Sequence, residues 1–154
     1  MKKILLTQNK TIVIDDEDYP LVSLFKWRLD KDGYVVCGLR INNKHITLRL
    51  HRLIGNAKPR EEVDHIDHNT LNNQKLNLRI CTHSQNHMNK RKYKGTSQYK
   101  GVSWYQHAKK WGAYIRLNNK TIHLGIHENE KEAAIKYNQM AKELFGNFAH
   151  LNKI

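Results

Sequence analysis

The stretch EVDHIDHN, Glu62 to Asn69, carries two Asp-His pairs, Asp64-His65 and Asp67-His68. Acid and imidazole together can bind a cation and move a proton. Breaking a phosphodiester needs an attacking water, a base to activate it and positive charge at the leaving oxygen. A divalent cation can supply that charge, and it prefers hard oxygen ligands, either carboxylate or amide carbonyl. Imidazole titrates near neutrality and suits the base. Neighbours on a regular strand point to opposite faces, so Asp64 and His65 can serve one site only at an irregular strand end. Asn86, on a following helix, can be brought back opposite Asp64. Asn77 lies between them, where its amide can donate and accept at once and tie the loop shut. The competing reading is a solvated polar loop.

The charge pattern favours the site. The chain has 154 residues, 27 Lys and Arg, 14 Asp and Glu, and a formal net charge of +13. Residues 1–60 hold 12 basic and 6 acidic residues, residues 61–92 hold 5 and 4, and residues 93–154 hold 10 and 4. Two basic ends therefore flank a nearly neutral centre, as expected if carboxylates gather there for a cation. The overall excess points to a polyanionic partner. The opening MKKILLTQNK has too short an apolar run for a secretory segment, which needs about 7–15 residues. No run approaches the roughly 18 apolar residues that span a bilayer. Cys37 and Cys81 are far apart, without metal-ribbon spacing. The expectation is an intracellular, cytoplasmic protein without a membrane partner or structural zinc.

The elements that must position these residues read as follows. KILLT and TIVID form a hairpin candidate, and the acidic run in DDEDYPLVSLFKW suits a helix N-terminus. YVVCGLRI and HITLRL flank Asn42 and Asn43, which tolerate the left-handed turn a hairpin needs. HRLIGNAKPR reads as a short helix ending near Gly55. EVDHID and NLRICT are short strands around a polar loop. Thr82 and Gln85 open a helix over about 83–91. After the basic NKRKYKGTSQ come three strands, in YKGVSWY, WGAYIRL and TIHLGIH. A helix follows, capped by Asn129 with Glu132 at the reciprocal position and stopped by Gly146. RINNKHITL and RLNNKTIHL look alike, but their flanks do not match, so the same hairpin chemistry is used twice.

VDHIDHNTLNNQKLNLRICTHSQN resembles the HNH nuclease motif in the variant found in phage and intron homing endonucleases, and the upstream HRLI fits as well. The resemblance implies a ββα-metal core in which Asp64 and Asn86 bind a divalent ion, magnesium or alternatively manganese. His65 would be the general base and Asn77 the structural residue holding the strands in register. His68 departs from the pattern, where many members carry Gly. No role follows for it, nor for His51, His83 and His87.

YKGVSWYQHAKKWGAYIRLNNKTIHLGIHENEKEAAIKYNQMAKELFG resembles the Apetala/ethylene-response-factor DNA-binding domain, through YKGV, the Trp111 to Arg116 segment, HLG and EAAIKY. In that family the sheet enters the major groove and the helix packs behind it. Alternation turns Val102, Ala113, Ile115, Ile122 and Leu124 toward the helix. It turns Lys100, Ser103, Tyr105, Tyr114, Arg116, Thr121 and His123 outward, as candidate DNA contacts. Lys109 and Lys110 fall in a turn suited to phosphates.

The expected fold is therefore α+β: a ββα-metal nuclease core preceded by small antiparallel hairpins and followed by a three-stranded antiparallel sheet packed on one helix. Its expected domains are a nuclease over 1–92 (β region 1–60, motif 61–92), a basic linker over 93–98 and a DNA-binding domain over 99–154. The expected function is metal-dependent hydrolysis of double-stranded DNA by a monomer, with a dimer as the alternative. The rivals are a DNA-binding regulator with an inactive nuclease motif and a nonspecific or RNA-directed nuclease.

Overall fold

The computed structural model describes residues 1–91 and 94–154. The expected junction of nuclease domain and linker, at Lys92 and Tyr93, lies outside the described residues. The fold is α+β, built from small antiparallel sheets, short helices and one long helix. The chain divides into two compact units, Met1–His83 and Ser84–Ile154.

In the first unit, β1 (Lys2–Leu5) and β2 (Thr11–Ile14) pair antiparallel. The acidic run does not start a long helix. It makes a 3-10 turn at Asp16–Asp18 and then the single turn α1 (Tyr19–Val22). A second sheet has the order β3 (Arg28–Leu29), β4 (Val35–Ile41), β5 (Lys44–Arg49). Asn42 and Asn43 turn its hairpin with φ of 49° and 61°, the left-handed pair that this tight turn demands. Helix α2 (Leu50–Ile54) follows directly. Ile12, Ile14, Val22, Trp27, Val35, Leu50 and Ile54 form the core, and Leu71 and Leu78 pack against it.

That core carries the third sheet, β6 (Glu62–His65) paired antiparallel with β7 (Leu78–Cys81). Their long connection is stitched to β2. The amide of Val13 donates to Leu71 O at 2.9 Å, and the amide of Asn73 donates to Val13 O at 2.8 Å. Asp15 closes the far side, accepting from Gln74 Nε2 at 3.0 Å and from the Lys75 amide at 2.8 Å. These bonds hold the Asp15 carboxyl below its ordinary pKa, the Gln74 contact foremost. Helix α3 (His83–Asn89) follows β7.

The second unit contains β8 (Val102–Tyr105), β9 (Lys110–Leu117) and β10 (Lys120–His127), in the sheet order β10-β9-β8, and α4 (Glu130–Phe145). Asn129 caps α4: its Oδ1 accepts from the Glu132 amide at 2.8 Å, while its Nδ2 donates to Glu132 Oε1 at 2.7 Å. Gly146 ends the helix at φ 51°. Ala133, Ala134, Tyr137, Ala141 and Phe145 are buried with Val102, Ala113 and Ile115. Gly101 has a steric reason for its identity. A Cβ there would stand 2.1 Å from the Tyr137 ring, and its φ is 73°. Ile122 pairs with buried Ile115 and shares its face, but on the edge strand β10 it remains 40% exposed.

Candidate active site

Asp64 and His65 are the last two residues of β6, opposite Arg79 and Leu78. Both are buried. The strand ends there because the chain turns: the amide of His68 bonds back to His65 O at 3.0 Å, and His68 has φ 60°. A left-handed residue at this point fits Gly better than His, whose Cβ is strained there. Asn77 clamps the turn from the other strand. Its Oδ1 accepts from the Asp67 amide at 3.0 Å, and its Nδ2 donates to Asp67 Oδ1 at 2.9 Å and Asn72 O at 2.8 Å. Asp67 also takes Asn72 Nδ2 and the Asn69 amide. These donors hold its carboxyl below the usual range, against the opposing effect of burial.

The geometry sets the tautomer of His65. Asn73 is fully buried, and its Nδ2 donates to Thr70 O at 3.0 Å. A carbonyl can only accept, so the amide oxygen of Asn73 faces His65 Nε2, 3.3 Å away. His65 must donate from Nε2, and the lone pair of the neutral ring then resides on Nδ1. Burial depresses the His65 pKa, opposed by the Asn73 bond and the charges of Asp67 and Asp64. The ring is therefore neutral and basic at Nδ1 at physiological pH. The rings of Tyr34 and His51 lie beside it, tilted and edge-on, with centroids 6.3 Å and 5.2 Å from His65. Asp64 is paired with Arg79, whose Nε and Nη2 both donate to Oδ2, at 2.9 Å and 2.6 Å.

A family description of HNH endonucleases matches residues 49–88. An uncharacterized HNH endonuclease of Acanthamoeba polyphaga mimivirus is 39% identical over 140 residues, spanning 90% of this chain and 72% of that protein. The chain belongs to the HNH endonuclease family. A second uncharacterized HNH endonuclease of the same virus is 36% identical over 66 residues, which are 40% of this chain and 20% of the relative. A solved structure concerned with DNA binding and cleavage by the HNH homing endonuclease I-HmuI is 36% identical, covers 38% of this chain and 36% of that one, and has a TM-score of 0.34.

This HNH endonuclease brings Asp64, His65 and Asn77 together in one hairpin of its first unit. Asn86 stands on α3, in the second unit. A carboxylate and an amide carbonyl are hard oxygen donors, and they fit magnesium, which keeps several of its waters and needs few protein ligands. Among the described residues no cluster of three or more His, Cys, Asp or Glu converges on a metal position. His83 meets Glu62 at 2.6 Å, and His87 faces the Lys90 ammonium at 3.1 Å. Burial pushes the Cys81 thiol up to about 11, so it is inert core. Among the described residues no helix is long and apolar enough to cross a membrane.

On the sheet of the second unit, Arg116, Thr121, His123 and Lys109 are exposed, while Ser103, Tyr105, Tyr114 and Lys110 are half-buried. The register sets Tyr114 beside His123 and Arg116 beside Thr121. Tyr105 lies flat across the face: a Cβ on Gly112 would stand 2.1 Å from its ring, and its hydroxyl is 3.3 Å from His123 Nδ1. Lys110 pairs with Glu128 at 2.7 Å. Lys100 differs from its expected outward role. It precedes β8, and its ammonium donates inward to Met88 O at 2.6 Å and Lys90 O at 2.7 Å, at the C-terminal end of α3. Burial lowers its pKa to about 8.

Sequence reasoning missed Asn73, Arg79, Tyr34 and Asp15 as shapers of this site. Arg79 was legible in principle. Once the two strands are paired, it falls directly opposite Asp64, where opposite charges attract. Asn73 and Asp15 act through partners that only the folded chain supplies.

Proposed function

We propose that this HNH endonuclease is a metal-dependent enzyme that hydrolyses phosphodiesters in double-stranded DNA. Its domains would be a nuclease over 1–92, a linker over 93–98 and a DNA-binding module of Apetala/ethylene-response-factor type over 99–154. The observation that carries the chemistry is the contact of His65 Nε2 with the amide oxygen of buried Asn73, which assigns the tautomer of His65. Asn73 holds Nε2 as donor, which leaves the basic nitrogen, Nδ1, on a neutral, buried ring.

In this reading Nδ1 of His65 takes a proton from water, the resulting hydroxide attacks phosphorus in line, and the 3′-oxygen departs. The charges of Asp67 and Asp64 favour the imidazolium so formed. Asp64 and Asn86 would hold the divalent ion, most simply magnesium, which when bound supplies positive charge for the leaving oxygen. Arg79 fixes the Asp64 carboxylate through Oδ2, and Asn77 fixes the turn that aims both residues. The exposed Arg116, Thr121 and His123, with Tyr105, Tyr114 and Ser103, would form the face laid in the major groove, while Lys109 and Lys110 meet phosphates. Lys100 drops out of that set because its ammonium is engaged inside the unit. Counterion release makes such binding fall steeply with salt. A monomer with one site nicks one strand.

The test is supercoiled plasmid with magnesium, with and without chelator, beside His65→Ala. The parent should nick only with the metal, and His65→Ala should lose at least 100-fold. Equal cutting by both removes the base assignment. Retention of DNA without cutting in any metal would make the protein a binding regulator instead.

A further inference from the structure

The hairpin RINNKHITL belongs to the β3-β4-β5 sheet, one face of which has no role so far. Leu29, Val35, Cys37, Leu39 and Leu48 pack on the core side. Alternation turns their neighbours outward. The register sets these in three rows: Arg28 and Arg49 on either side of Val36, Gly38 beside Thr47, and Arg40 beside His45. Arg28, Arg40, His45, Thr47 and Arg49 are exposed. Among the described residues none of the three arginines has an ion-pair partner. A Cβ on Gly38 would meet nothing within 4 Å, so the middle row is uncovered. At the Arg28 end the face opens into a cleft lined by four Lys or Arg against two Asp. One of those acids is committed: Asp30 Oδ1 accepts from the amides of Asp32 and Tyr34, at 3.0 Å and 2.9 Å. The same turn is tied to the active-site loop, because Thr70 Oγ1 donates to Gly33 O at 2.6 Å. Tyr34, next along the chain, has its ring centroid 6.3 Å from that of His65.

We propose that this outer sheet face is a second duplex-binding surface, on which Arg28, Arg49 and Arg40, with His45 and Thr47, hold the phosphate backbone of DNA beside the active site. The cations do not converge on a point, as a single phosphate ion would require. Four residues of strand separate the Val36 row from the Arg40 row, a span of about 13 Å. That is close to the width of a major groove, about 12 Å, so the two rows can meet phosphates on both of its borders. The outward rows carry no exposed large apolar side chain, which a membrane surface would need for insertion. The other copy of the hairpin agrees. Arg40 stands opposite His45 where Arg116 stands opposite Thr121, and both turns have φ of 49° and 61°. The inference rests on the reading of duplex DNA as substrate, and it places a grip on that substrate in the nuclease unit itself.

The experiment titrates the full chain onto labelled duplex in chelator, so that binding is read without cutting, from about 50 to 200 mM salt. The variants are Arg28→Gln with Arg49→Gln, Arg40→Gln alone, and Arg116→Gln. Lys3→Gln with Lys10→Gln removes two charges from the β1-β2 sheet as a control. The Arg28 and Arg49 pair should make the logarithmic salt slope shallower by about 2 and weaken binding at least tenfold at about 100 mM salt. Arg40→Gln should change the slope by about 1, and the control pair by less than about 0.5. With magnesium restored, the arginine variants should raise KM and leave kcat within about threefold. Arg40→Gln, exposed at the hairpin end, decides the matter should the arginine pair fail to fold. Arginine variants that bind with the control's affinity and slope overturn the proposal, as does a loss confined to duplex RNA. If the parent does not retain duplex DNA at all, the substrate reading falls and takes this proposal with it. If Arg116→Gln weakens binding while the variants of this face do not, only this proposal falls.

Discussion

Replacing Asn77 by Ala tests how the active-site turn is held. The amide makes three hydrogen bonds, two to Asp67 and one to Asn72 O, and Asn77 is buried at 9% exposure. One of those bonds is to a carboxylate, worth about 1.5–3 kcal/mol, and the two neutral ones are worth about 0.5–1.5 kcal/mol each. Because the three act as a unit, the loss should be about 3 kcal/mol, or roughly 150-fold in the local opening equilibrium at ~1.4 kcal/mol per tenfold. The backbone bonds from Ile66 to Asn77 O and from Asn77 to Gln74 O remain, so the strands should stay paired. The assay is hydrogen exchange of the Asp67 amide, compared with the amides of Ile12 and Ile14 in β2. The turn should exchange roughly 100-fold faster in the variant while β2 is unchanged, and DNA cleavage should fall with it. Asn77→Asp should be worse than Ala near neutral pH, because it removes both donor bonds and sets a second carboxylate beside Asp67. Exchange at Asp67 within threefold of the parent, or an Asp variant milder than Ala, would refute the reasoning.

Three further outcomes are expected. The folded pKa of His51, about 3, lies below its unfolded value of about 6.5, so the unfolded chain binds the extra proton between them. Stability is therefore intact above pH 6.5 and declines as pH falls through 3, by about 5 kcal/mol in all. His51→Phe lacks this loss, so exchange-derived stabilities of the two proteins at Ile12 and Ile14 should diverge from pH 7 to pH 4; parallel curves would contradict the linkage. His68→Gly relieves the left-handed backbone at φ 60° and should stabilise the first unit by about 0.5–1 kcal/mol without changing cleavage, as read by its melting temperature. Gly112→Ala drives a methyl into the Tyr105 ring, so it should lift Tyr105 from the sheet, break its contact with His123 and weaken duplex binding about tenfold; unchanged affinity would remove Tyr105 from the interface.

Much of this fold is written in local chemistry. Asn42 and Asn43, like Asn118 and Asn119, adopt the same pair of left-handed angles. Asn129 with Glu132 caps α4 through its own neighbours. The amide of Asn77, read as able to donate and accept at once, has both kinds of partner within ten residues. What escaped the sequence depends on distant partners. The acidic run looks like a helix start because carboxylates suit that place, yet Asp15 grips Gln74 and Lys75, far along the chain. Lys100 looks outward by strand alternation, but it precedes the strand and its stem reaches the carbonyls of α3. Ile122 has the alternation of a core residue, and its exposure follows from its place on the edge strand β10. Asn73 reads as one more loop asparagine until its burial makes it the residue that orients His65.

The central proposal is that Asp64 and Asn86 are both ligands of a divalent ion. Its most direct test is electron paramagnetic resonance of manganese titrated into the His65→Ala chain with duplex, corrected for duplex alone. The account predicts one tight site that disappears in both Asp64→Ala and Asn86→Ala. Retention of that site at full stoichiometry and affinity when the two residues are replaced together would contradict it.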